Sequence, residues 1–92
     1  MNNIRDLFAA VDKSDLRVNE AVKLLQVSRV TYHKWRKIPD RKPHALFASR
    51  ANMLVLRAYE LLEAGTLPLQ NGLSHKERWS LISKLFPALA NM

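Results

Sequence analysis

The sequence predicts an all-α domain of about five helices. Three observations carry that expectation. Leu and Ala are common while β-branched residues are sparse, a mix that favours helix over strand. Apolar residues recur at i, i+3, i+4 and i+7 in one segment after another. The 92 residues include only two glycines and four prolines, and several of these fall where a periodic segment stops. A chain of this length makes one domain over residues 1–92. With 48% apolar and 25% charged residues it has the balance of a globular protein, not of a disordered one.

Each element has its own signal. A first helix is expected over about residues 3–13, capped by Asn2 or Asn3, with Ile4, Leu7, Phe8 and Val11 on one face. Lys13-Ser14-Asp15 reads as a break. A second helix, roughly 18–26, places Val18, Ala21, Val22 and Leu25 on one stripe, but its start is weakly marked because Arg17 is a poor cap. Gln26-Val27 is then a tight connection, and Ser28 is a good N-cap for a third helix running to about Lys37. Pro39-Asp40 marks a turn. Pro43 suits the first turn of a fourth helix within 44–64, which carries Leu46, Phe47, Leu54, Ala58, Leu61 and Leu62 and stops at Gly65. Residues 66–73, with Pro68, read as a loop. Ser74 and Glu77 fit a capping box for a last helix over about 75–89, with Trp79, Ile82, Leu85 and Phe86 inward.

Composition excludes several function classes. There is no cysteine, hence no disulfide framework, thiolate-bound zinc or thiol nucleophile, and a reducing cytoplasm is the expected compartment. Residues 1–11 carry Asp6 and lack the long apolar core of a secretion signal. The strongest apolar run, Met53 to Leu56, is far too short to span a membrane. His33, His44 and His75 are too scattered for a metal site, so no metal or cofactor is expected. No carboxylate pair, Gly-rich phosphate loop or nucleophile elbow points to catalysis or a small-molecule ligand, and Glu60 and Glu63 read as solvated helix residues.

The net charge is +7, and its distribution is more informative than its size. Residues 1–27 balance four basic against four acidic side chains, and residues 51–92 balance four against three. Residues 28–50 instead hold Arg29, Lys34, Arg36, Lys37, Arg41, Lys42 and Arg50 against Asp40 alone. Solubility does not require such clustering, whereas a polyanionic partner would explain it.

The segment Val18-Asn-Glu-Ala-Val-Lys-Leu-Leu-Gln-Val-Ser-Arg-Val-Thr-Tyr-His-Lys-Trp-Arg-Lys37 resembles the helix-turn-helix of bacterial and phage DNA-binding proteins. In that motif small residues lie where two helices cross, as Ala21 and Val22 do. Apolar residues close the first helix and follow the turn, as Leu25 and Val27 do. Ser28 caps the second helix, and Tyr32 and Trp35 anchor it inward. The turn position is usually Gly, because the backbone there is left-handed; Gln26 can occupy it at roughly 1 kcal/mol. Trp35-Arg36-Lys37-Ile38-Pro39 is also similar to the tract after the recognition helix in small phage or prophage regulators of the repressor, Cro and CII type.

If Tyr32 and Trp35 face inward, helical periodicity turns Arg29, Val30, His33, Lys34 and Lys37 outward. The resemblance implies that the N-terminal part of this helix meets base edges. Arg29 would then pair with guanine, Val30 would touch a thymine methyl, and His33 or Lys34 would read the next base. Arg36, Lys37, Arg41 and Lys42 are expected at phosphates, joined by the helix N-terminus at Ser28. The partner implied is double-stranded DNA, bound by a homodimer or higher oligomer. The C-terminal helices, 44–89, would supply either core or the oligomer contact, with Trp79 and Phe86 as the candidate contact. Three functions fit: a sequence-specific transcriptional regulator, a DNA-bending excisionase or architectural protein, or a protein-interaction module such as an antitoxin or host-protein inhibitor.

Overall fold

Six helices follow one another in the computed structural model, which describes residues 4–38 and 45–90. They are α1 (Ile4–Lys13), α2 (Val18–Leu25), α3 (Arg29–Lys37), α4 (Ala45–Glu63), α5 (His75–Leu85) and α6 (Pro87–Ala90), and no strand occurs among the described residues. The all-α expectation therefore holds, with five helices of the anticipated kind and one extra turn at the end. The expected caps Asn2 and Asn3, the turn at Pro39-Asp40, and Pro43 and His44 lie outside the described residues, as do the side chains of Leu46 and Phe47.

α1 and α4 form the central pair. α1 buries Ile4, Leu7, Phe8, Ala10 and Val11, and α4 buries Ala51, Leu54, Val55, Ala58 and Leu61. α3 packs on α1 and α2, α2 also meets α4 and α6, and α5 leads into α6, which closes on α2 and α4. The break after α1 is made by Asp15 in the left-handed region (φ 55°), with the Leu16 amide donating to the Val11 carbonyl at 3.2 Å. Gly65 ends α4 at φ 78°, a conformation that only glycine adopts without penalty. The loop 66–73 is not merely a connector, since Leu67 and Leu69 are buried in the core.

The weakly marked start of α2 is fixed by a group the local sequence does not flag. Glu20 accepts the Arg17 amide at 2.9 Å, supplying one half of a capping box; the other half needs a side-chain acceptor at the cap position, which arginine does not have. The same carboxylate is buried against Arg78 of α5, which donates to both Glu20 oxygens at 2.9 Å and to the Asp15 carbonyl at 2.7 Å. Burial alone would raise the Glu20 pKa, but the Arg78 guanidinium and the Arg17 amide outweigh it, so Glu20 titrates below its ordinary value.

The last helix departs from expectation. It begins as foreseen, with Ser74 and Glu77 bonded reciprocally at 3.0 and 3.2 Å, but ends at Leu85 instead of continuing to 89. Phe86 leaves the helical region (φ −120°, ψ 57°) because the proline ring that follows disfavours helical geometry in the preceding residue; Pro87 then opens α6. The inward residues also differ: Ile82 and Phe86 are buried, Trp79 and Leu85 are half-buried, and Arg78 joins the buried face.

A candidate nucleic-acid interface

The candidate interface begins with the turn between α2 and α3. Gln26 adopts φ 57° and ψ 46°, the left-handed conformation expected at this position, and its amide donates to the Val22 carbonyl. That turn lets Val27 pack against the core while the chain reverses onto α2. Ser28 then caps α3: its Oγ accepts the Thr31 amide at 3.1 Å and its hydroxyl donates to Thr31 Oγ1 at 3.0 Å. The serine hydroxyl is thereby engaged within the cap, so an anion at this end of α3 would meet backbone N–H groups, not the side chain.

The six anchors of the motif all lie in or against the core. Ala21, Leu25, Tyr32 and Trp35 are buried, and Val22 and Val27 pack against them half-buried. Tyr32 meets Phe8 of α1 edge to face, with ring centroids 5.0 Å apart, which pins α3 to the central pair. Burial pushes the Tyr32 phenol pKa up.

The opposite face of α3 is open. Arg29, Val30, His33, Lys34 and Lys37 are all exposed, Val30 to 70%. His33 lies edge to face with Tyr32, at 5.9 Å between centroids. Among the described residues no acidic side chain pairs with Arg29, Lys34 or Lys37. An exposed valine between cations gains nothing from solvent and is free to meet an apolar group.

Two cations of the basic cluster behave differently. Arg36, expected at a phosphate, turns back toward α1. Its guanidinium donates twice to the Asp12 carboxylate, at 2.6 and 3.1 Å, and lies 4.4 Å from the Phe8 ring centre and 5.8 Å from that of Tyr32. The Asp12 hydrogen bonds raise its pKa further above the ordinary arginine value. Arg36 is thus a brace between α3 and α1, set by an acidic partner 24 positions away that no local pattern reveals. Arg50 is likewise internal, donating to the Leu24 carbonyl at 2.7 and 3.1 Å and to the Leu89 carbonyl at 2.8 Å. Arg41 and Lys42 lie outside the described residues. Of the seven cations counted in the sequence, Arg29, Lys34 and Lys37 are therefore the ones the structure describes as exposed and paired with no acidic side chain among the described residues.

The two side chains offered for an oligomer contact both pack within the monomer. Phe86 is enclosed in the core, and Trp79 is half-buried with the Lys23 ammonium 4.9 Å above its ring. These two side chains close the monomer. No helix among the described residues is long and apolar enough to cross a membrane, and no group of three or more His, Asp or Glu side chains converges there. Compared with protein-family models, with curated proteins and with solved structures, the chain matches none of them.

Proposed function

We propose that this chain binds double-stranded DNA through α3 and acts as a sequence-specific transcriptional regulator of the small phage or prophage kind, working in the cytoplasm without catalysis. One observation carries the reading. Tyr32 and Trp35 hold one side of α3 in the core, while Arg29, Val30, His33, Lys34 and Lys37 stand exposed on the other. A short capped helix presenting cations, a hydrogen-bonding ring and one bare apolar side chain has the chemistry that a major groove reads.

Arg29 and Val30 lie in the first turn, where a recognition helix comes closest to the bases. Arg29 suits the paired acceptors of guanine, and Val30 suits a thymine methyl. His33 and Lys34, one turn on, would read the neighbouring base. Lys37 at the C-terminal end, the amides at Ser28 and, beyond the described residues, Arg41 and Lys42 would meet phosphates. Arg36 leaves that set because of Asp12.

The test is a binding titration at several salt concentrations against DNA selected from a random pool. Log affinity should fall with log salt at a slope of about −0.9 for each phosphate contacted. Arg29→Ala should cost about 1–3 kcal/mol on the selected site and much less on random DNA, while Lys37→Ala should weaken both alike. Equal losses on both DNAs for Arg29→Ala would remove it from the base-reading set. Affinity that ignores salt would remove DNA as the partner.

A further inference from the structure

Leu56 projects from α4 with 67% of its surface in solvent, far more than the buried Val55 and Leu54 beside it. It borders an apolar groove of about 270 Å³ between α4 and α6, floored by Met53, Phe86 and Leu89. Arg57 and Glu60 also line the groove. They form an i,i+3 pair at 3.2 Å, and their side chains remain 43% and 66% exposed. Arg57 is held in place by its Nε, which donates to the Leu85 carbonyl at 2.8 Å.

We infer that this groove is a two-fold interface with a second copy of the chain, in which Leu56 of each copy enters the other's groove. A two-fold contact needs one patch that is its own complement, because residue i meets residue j and j meets i. The patch has those parts in both shape and charge. A protruding apolar side chain stands beside an apolar hollow, and a cation stands beside an anion on the same rim. Turning one copy onto another can set Arg57 against the partner's Glu60 twice over. A purely acidic or purely basic partner would leave one of the two rim charges facing its own sign. The hollow also falls just below the roughly 300–1,000 Å³ of a small-molecule site, which favours one side chain as its occupant. None of the residues lining the groove belongs to α3, so pairing here leaves the candidate DNA face out of the contact.

Self-association is measured without DNA, so its outcome is independent of the reading given to α3. Sedimentation equilibrium of the full chain over a concentration series should show twice the chain mass. Leu56→Glu should raise the dissociation constant at least about tenfold, as expected for a central anchor, with the helical circular dichroism and melting temperature retained because two-thirds of Leu56 already lies in solvent. Glu60→Arg would set Arg57 against a new arginine across the axis. It should weaken the dimer at low salt and recover as salt screens the repulsion. A wild-type chain that stays monomeric overturns the proposal and leaves the groove to a small ligand or another protein. A Leu56→Glu chain that dimerises as the wild type does overturns it equally.

Discussion

Arg36 and Lys37 are neighbours in the chain, yet a guanidinium at 36 reaches back to Asp12 and the ring of Phe8, whereas the ammonium at 37 is exposed. Part of the difference is chemical. Arginine offers a planar fork that matches a carboxylate and stacks on aromatic faces, which an ammonium does not. The Arg36–Asp12 pair is itself substantially exposed, at 39% and 59% of the side chains, so water screens it and it contributes no more than about 0–1 kcal/mol. The ring contact adds about 0.5–1 kcal/mol. Arg36→Ala should therefore lower stability by about 0.5–2 kcal/mol in urea unfolding. It should leave the salt slope of DNA binding nearly unchanged. Losing a slope of about 0.9, as for the removal of a phosphate contact, would return Arg36 to the DNA-facing set. Nothing within a few positions of Arg36 signals this role. The exposure of Arg29, Val30, His33 and Lys34 was legible because it follows from the helical period alone once Tyr32 and Trp35 are placed inward.

Helix boundaries that depend on nearby residues are legible in the sequence, and those set by distant ones are not. Ser28, Gly65 and the Ser74–Glu77 box act within three residues of the end they define, and all appear where the pattern placed them. The start of α2 depends instead on Glu20, whose position is secured by Arg78 from another helix. The end of α5 did have a local signal in Pro87, which makes Phe86 a poor helical residue, but the apolar spacing through Leu89 obscured it. Gln26 supplies a test at this scale. Its left-handed backbone carries a penalty that glycine lacks, and its side chain is exposed, so little packing is at stake. Gln26→Gly should raise stability by a few tenths to about 1 kcal/mol, the relief of strain exceeding the added freedom of the unfolded chain. Thermal and urea unfolding measure it. A destabilised variant would mean that the turn costs glutamine nothing.

Across the whole molecule, the buried Glu20–Arg78 pair joins α2, in the first third of the chain, to α5. Because Glu20 titrates below its ordinary value when folded, its contribution is present above the ordinary carboxylate range and is lost as pH falls through the lowered value. Glu77, held ionised by the Ser74 amide and hydroxyl, acts in the same direction. Glu20→Gln leaves the Arg78 guanidinium buried without its counter-charge and should cost about 3–5 kcal/mol at pH 7. The gap from the wild type should narrow as pH falls through the lowered Glu20 value, where the wild-type carboxyl takes up its own proton. Chemical denaturation across that pH range checks it, and a gap of constant size would deny the pair any role in acid sensitivity.

Arg50 has a consequence of its own. One guanidinium clasps the Leu24 carbonyl, just ahead of the turn into α3, and the Leu89 carbonyl near the end of the chain. The twenty-residue segment that meets DNA in our proposal is therefore not a portable cassette. Excised or transplanted onto another scaffold, it would lose the clasp that holds the entrance to its turn, and an alteration near Leu89 would be felt at the turn into α3.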